Sequence, residues 1–227
     1  MPTALVTGAS RGIGRAIALR LAATHDVVAV ARSADDLDAL AAEIGGSGGR
    51  CHPIALDVTD GAAVRAALGD VEADVLVNNA GVGTMKPLLE MAWEDWRRML
   101  DVNVNALYHV TRAVLPGMTE RGRGHVVTIG SLAGRNTFAG GTCYTGTKHF
   151  VMGFSESLML EVRDRGVKVS VVMPGSVATD FGRGCQDEGR DWKLHAEDVA
   201  EAVAHLVDTP PHVLVSKVEM RPAIPRK

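Results

Sequence analysis

Short apolar runs rich in Val, Ile and Ala alternate with amphipathic stretches along most of the chain, and this alternation constrains the fold more than any other feature. Strands are expected at Thr3–Thr7, Asp26–Ala31, His52–Asp57, Val75–Asn78, His125–Gly130, Lys168–Met173 and Val213–Met220. Helices are expected at Ile13–Ala23, Asp35–Ile44, Ala62–Leu68, Trp93–Pro116, Cys143–Arg165 and Glu197–Val207. A strand apolar on both faces must be covered on both sides, and intervening helices supply that cover while making the strands parallel. The fold implied is α/β, a doubly wound parallel sheet with helices on both faces. Ligands of such a fold bind beyond the carboxyl ends of the strands. Gly45-Gly46-Ser47-Gly48-Gly49 reads as a flexible connector between the second helix and the third strand.

At 227 residues the chain suits one domain, 1–227, able to bury a large core without disulfides or metals. A net charge of -3 gives no electrostatic case for nucleic acid or an anionic membrane as partner. Cys51, Cys143 and Cys185 are widely spaced, with no Cys-x-x-Cys, and the eight histidines lack ligand spacing, so neither a disulfide framework nor a metal site is expected. The first strand begins at Thr3, which leaves no room for a signal peptide, and no apolar run approaches membrane-spanning length; the expected compartment is a reducing cytoplasm.

Thr7-Gly8-Ala9-Ser10-Arg11-Gly12-Ile13-Gly14 falls where the first strand turns into the first helix. Glycine is required there because a Cβ would block the tight turn and the approach of the backbone to a pyrophosphate. The helix N-terminus then offers that anion free N–H groups and the positive end of its dipole. The second strand ends in Ala31 followed by Arg32, where an NAD-binding chain of this fold usually ends in an acid that takes the ribose hydroxyls. A guanidinium can hold a 2′-phosphate through two N–H groups, so the expectation is NADP(H) in preference to NAD(H).

Tyr144 and Lys148 stand four apart on an expected helix and so project from one face. A phenol near its ordinary value of ~10 is a poor acid-base group at neutral pH, and a neighbouring ammonium, joined by an oxidised nicotinamide, favours the phenolate. Ser131 ends the fifth strand and would face the same crevice, where its hydroxyl can donate to a substrate oxygen that gains negative charge.

From Thr3 to about Pro174 the chain resembles the short-chain dehydrogenase/reductase family, through the Thr-Gly-x-x-x-Gly-x-Gly loop, Asn78-Asn79-Ala80-Gly81, Ser131 and Tyr144-x-x-x-Lys148. The resemblance implies a Rossmann-type fold with a cofactor half over about 1–125 and a catalytic half over about 126–227. It also implies an oxidoreductase that interconverts a carbonyl and a secondary alcohol by hydride transfer. Ser131, Tyr144 and Lys148 would be catalytic, with Lys148 also holding the nicotinamide ribose. Asn103, in Asp101-Val102-Asn103-Val104, would hold a water that links the lysine to solvent. Cofactor contacts would come from Gly8, Ser10, Arg11, Gly12, Ile13, Gly14 and Arg32, then from Asp57, Val58, Asn79, Ala80 and Gly81. Tyr144, Lys148, Pro174, Gly175, Val177 and Thr179 would complete that set. Arg11 matches a basic residue of NADP-preferring relatives. Asp57 would face adenine or cap the helix beginning near Thr59, and Asn78 would be structural.

Gly146-Thr147 stands where relatives often carry Ala-Ser, and Gly130 stands where serine is frequent. The ending Val218-Glu219-Met220-Arg221-Pro222 lacks the paired glycines of many ketoacyl-type reductases. The region 179–193 has no clear periodicity and is expected to form a substrate lid, with Phe181, Trp192 and Phe138 as candidate substrate contacts. Trp93 and Trp96 are expected to pack. Apolar surplus on the Tyr144 helix (Phe150, Phe154, Leu160) predicts a homodimer or homotetramer. The alternative function is an NADP(H)-binding sensor or scaffold without turnover. Epimerisation or dehydration of a nucleotide sugar fits poorly, because the short C-terminal part has no room for a sugar-nucleotide domain.

Overall fold

The computed structural model describes residues 1–179, 181 and 192–224. Strands β1 (Thr3–Thr7), β2 (Asp26–Ala31), β3 (Cys51–Ala55), β4 (Val75–Asn78), β5 (Gly124–Ile129), β6 (Val167–Pro174) and β7 (Lys217–Met220) form a parallel sheet in the order β3-β2-β1-β4-β5-β6-β7. Helices are α1 (Gly12–Leu21), α2 (Ala34–Gly46), α3 (Gly61–Leu68), α4 (Trp93–Leu100), α5 (Ala106–Arg121), α6 (Thr142–Val162) and α7 (Ala196–Val207). Alternate residues of β1, β2 and β4 enter opposite cores. Ala4 and Val6 of β1 pack with α1, α2 and α7, whereas Leu5 packs with α3, α5 and α6. The strand order reverses between β1 and β4, and the crevice above that reversal is where this topology places a ligand.

Local chemistry explains most of the helix ends. Asp36 N–H donates to Ser33 Oγ at the start of α2, and Ala62 and Ala63 N–H donate to Asp60 Oδ1 at the start of α3. Asp198 receives the His195 N–H at the start of α7. By contrast, Arg11 precedes α1 with no side-chain cap, so the first-turn N–H groups of α1 stay free of side-chain acceptors.

Several boundaries differ from expectation. The helix expected at 93–116 is two helices joined by a π-helical turn, Asp101–Asn105, and it continues past Pro116 to Arg121. Proline forfeits one hydrogen bond, which a buried helix face offsets, and the helix stops instead at Gly122, whose φ of 65° is left-handed. Helix α2 runs through Gly45 and Gly46, so only Ser47–Gly49 remain of the expected connector. Strand β7 begins at Lys217 rather than Val213. Within the expected lid, Asp180 and residues 182–191 lie outside the described residues, as does Cys185.

Candidate active site

Thr7, the last residue of β1, organises the mouth of the crevice. Its hydroxyl donates to Val77 O (3.3 Å) and accepts from the backbone N–H groups of Asn79 (3.0 Å) and Ala80 (3.1 Å). Asn79 Nδ2 donates in turn to Thr7 O (2.9 Å), while Asn78 Nδ2 donates to Thr111 Oγ1 (3.0 Å), the structural role expected of it. This stitching brings the glycine loop against Ala80-Gly81. A Cβ on Gly8 would lie 2.9 Å from Asn79 Nδ2, and one on Gly14 would overlap the Gly8 carbonyl. Gly8 and Gly12 also have positive φ values of 67° and 55°.

From this loop a groove of about 440 Å³ runs along the ends of β2 and β3. Its lining includes Gly8, Ser10, Arg11, Arg32, Asp57, Val58, Asn79, Ala80 and Gly81, so nine expected cofactor contacts face one space. Uncapped amides at the start of α1, a glycine backbone and guanidinium groups fit the phosphates of a dinucleotide; no acid stands at Ala31 to repel a 2′-phosphate. Asp57 Oδ1 accepts from the N–H (2.9 Å) and hydroxyl (2.8 Å) of Thr59, and these bonds hold the carboxyl below its ordinary range. Helix α3 is capped by Asp60 rather than Asp57. The opposite wall was missed from sequence: Glu94, Arg97, Arg98 and Asp101 of α4 and the π turn also line the groove. Their spacing of three, four and seven is a one-sided polar stripe, the signal that could have found them.

Gly12, Ile13 and Thr179 face a second depression of about 330 Å³ together with Arg11 and Phe181. Val177 bridges Leu194, and Gly175 N–H donates to Met220 O at 2.8 Å, so the segment after Pro174 is anchored by the end of β7.

Ser131 follows β5 in extended backbone, its Oγ accepting the Ala133 N–H at 3.1 Å. Tyr144 and Lys148 lie one turn apart on α6, both buried. Lys148 Nζ donates to Ile129 O at 3.0 Å and stands 5.9 Å from the Tyr144 ring centroid. Burial pushes the ammonium down to about 8. Burial also pushes the Tyr144 phenol up, opposed by the facing Ser131 hydroxyl. The expectation counted an ammonium joined by an oxidised nicotinamide as favouring the phenolate; with Lys148 turned to the Ile129 carbonyl, burial is by itself the largest influence on the phenol. The phenol is thus held protonated.

Asn103 sits in the π turn, buried, with its whole amide engaged. Its Nδ2 donates to Val82 O (2.9 Å) and Thr147 Oγ1 (3.1 Å), and its Oδ1 accepts the Val82 N–H (2.9 Å). The side chain therefore clamps the loop after β4. Beside it a cavity of about 20 Å³, lined by Asn103, Lys148, Thr7 and Thr128 among others, has room for one water.

Among the candidate substrate contacts, the Phe181 ring lies 5.8 Å from that of Tyr144, and Phe138 covers Gly141 at the start of α6. Trp192 faces Lys193 Nζ at 6.0 Å. Trp96 packs with Met99, Cys143 and Tyr144 as expected, but Trp93 is 64% exposed and packs against none of the core clusters. No cluster of metal-ligating side chains occurs among the described residues, and no helix there is long and apolar enough to cross a membrane.

Residues 2–189 match the model of a family described as short chain dehydrogenase. An NADP-dependent 3-hydroxy acid dehydrogenase of Salmonella typhi is 39% identical over 96% of this chain and 94% of its own. A metagenomic short-chain oxidoreductase solved in complex with NADP superposes with a TM-score of 0.87 at 37% identity, covering 99% of this chain and 98% of its own. An alcohol dehydrogenase from the archaeon Thermococcus sibiricus, complexed with 5-hydroxy-NADP, reaches a TM-score of 0.93 at 30% identity over 100% of this chain and 99% of its own.

Proposed function

The chain belongs to the short-chain dehydrogenase/reductase family, and from that premise we propose how its residues divide the work of an NADP(H)-dependent oxidoreductase that interconverts a carbonyl and a secondary alcohol. The observation that carries the reading is the convergence of a buried phenol, a facing serine and a buried lysine at the strand ends, next to a groove lined by arginines.

Bound NADP(H) supplies or accepts the hydride at the substrate carbon. In reduction, Tyr144 gives its proton to the substrate oxygen, and burial keeps that proton in place until the oxygen becomes basic. Ser131 donates a hydrogen bond to the same oxygen as negative charge develops on it. Lys148 holds the nicotinamide ribose and tunes the phenol, and Asn103 borders the water-sized cavity through which a proton returns to the lysine. Arg11 and Arg32 hold the 2′-phosphate, and Asp57 and Val58 border the adenine. Gly8 to Gly14, with Asn79 to Gly81, line the diphosphate and ribose, and Pro174, Gly175, Val177 and Thr179 cover the nicotinamide. Oxidation runs the same contacts in reverse.

The single domain, 1–227, acts in a reducing cytoplasm as a homodimer or homotetramer. Phe150 and Leu160 are exposed on α6, and the Phe150 ring stacks on that of half-buried Phe154 at 5.9 Å, more apolar surface than a monomer's helix exposes to water. Phe150→Asp is expected to shift the light-scattering mass to that of a monomer. An unchanged mass would remove α6 from the interface.

The alternative of an NADP(H) sensor without turnover draws no support from the relatives, which are named for catalysis. The test is oxidation of NADPH and NADH against ketones, aldehydes, quinones and ketoacyl thioesters, with Tyr144→Phe as control. Tyrosine-dependent consumption of NADPH is expected. Equal turnover by the Tyr144→Phe variant would overturn the assignment of the acid.

A further inference from the structure

Thr147 stands between the tyrosine and the lysine, and its hydroxyl both accepts and donates a hydrogen bond. It accepts from Asn103 Nδ2 at 3.1 Å and donates to the Tyr144 carbonyl at 2.8 Å. Both Thr147 and Asn103 are buried. Because Asn103 Nδ2 also donates to Val82 O while its Oδ1 accepts the Val82 N–H, a continuous set of hydrogen bonds links three separate segments. It runs from the loop after β4, through the π turn, to the backbone of Tyr144. A π turn places its side chains off the α-helical register, and here that offset lets the asparagine reach α6.

We propose that Thr147 is a positioning residue for the reaction: its hydroxyl ties the backbone of Tyr144 to Asn103 and so sets the distance between the proton donor and the wall of the crevice at Val82. Removing the hydroxyl while keeping the shape, as in Thr147→Val, leaves a buried Asn103 N–H without its acceptor and the Tyr144 carbonyl without its second donor. Serine at the same place keeps both bonds.

The inference rests on the role given to Tyr144 above, and its test includes a measurement that needs no turnover. The chain has two tyrosines, so a Tyr108→Phe background leaves Tyr144 as the one phenol whose ionisation is read by ultraviolet titration. Thr147→Val is expected to lower kcat by ~10-fold with KM for NADPH changed less than ~2-fold, since a small misplacement costs rate rather than binding. In the titration the Tyr144 midpoint is expected to fall toward its ordinary value as water gains access to a loosened site. Thr147→Ser should restore both readings. Should Thr147→Val not fold, Thr147→Ala takes its place with the same thresholds. An unchanged kcat and titration in the hydroxyl-free variant would overturn the proposal, as would a serine variant as impaired as the valine one. Failure of the wild type to consume NADPH would strike the assigned reaction instead, and the titration would still judge the link through Thr147.

Discussion

The groove along β2 and β3 and the crevice at Ser131, Tyr144 and Lys148 are built on opposite principles. The groove is open and lined by arginines that form no ion pair with another described residue: Arg11, Arg32, Arg97 and Arg98. The crevice is closed, and its two ionisable groups are displaced by desolvation, the lysine down to about 8 and the phenol up. A guanidinium carries its charge and its paired N–H groups without any help from burial, so the groove leaves its cations exposed. Proton transfer needs a group poised at a fixed place, and only burial with filled hydrogen bonds provides that. Substitutions in the groove should therefore change binding and cofactor choice, and those in the crevice should change rate.

The strongest test of this division is Tyr144→Phe. It is expected to lower kcat by ~10³-fold while NADPH affinity, read by fluorescence titration, changes less than ~3-fold. A comparable loss of affinity would mean that the Tyr144 hydroxyl, and not Lys148 alone, anchors the cofactor from the crevice, and the contrast would collapse. His125 sharpens the point by separating burial from catalysis. It lies at the start of β5, at the far end of the sheet from the crevice, with Nε2 2.8 Å from Ser170 Oγ, whose hydroxyl donates to Val215 O. Ser170 must then accept from an Nε2–H. Desolvation, aided by Lys168, holds the ring neutral with a value of about 4. A folded-state value below the unfolded one means that the unfolded chain binds the proton more readily. Stability is therefore full above about pH 6.5 and is lost as pH falls toward 4, by about 3 kcal/mol. Urea unfolding across that range should show this slope, and His125→Gln should flatten it with kcat unchanged. A fall in kcat would show that stability and catalysis are not separable by position. The smallest effect is expected in the groove. Arg32→Ala should reduce the preference for NADPH over NADH in kcat/KM by roughly 30-fold with kcat nearly constant. A preference left intact would remove Arg32 from the phosphate contact and leave it to Arg11, or to Arg98 across the groove.

Much of the site was legible before any tertiary contact was known. The glycines at 8, 12 and 14 mark a tight turn, and nine of the expected cofactor contacts face the one groove. The spacing of Tyr144 and Lys148 put both on one face of a helix, and that helix formed. The π turn was not legible, since its extra residue per turn leaves the apolar periodicity on either side undisturbed. Nor was Thr147, whose partner Asn103 is forty-four residues away. The upward push of burial on the Tyr144 phenol was not legible either, because a near-neighbour argument counts the ammonium and an oxidised nicotinamide and omits desolvation.

Residue order alone settled the strands apolar on both faces, the parallel wound sheet and the glycine turn that opens the first helix. These follow from local sterics and from periodicity, which act over a few residues. Folding in three dimensions decided which wall of the groove carries Arg97 and Arg98, where the Lys148 ammonium points, and how far desolvation holds the Tyr144 proton. Those outcomes depend on atoms distant in the chain, and desolvation is a property of the whole enclosure rather than of any one neighbour.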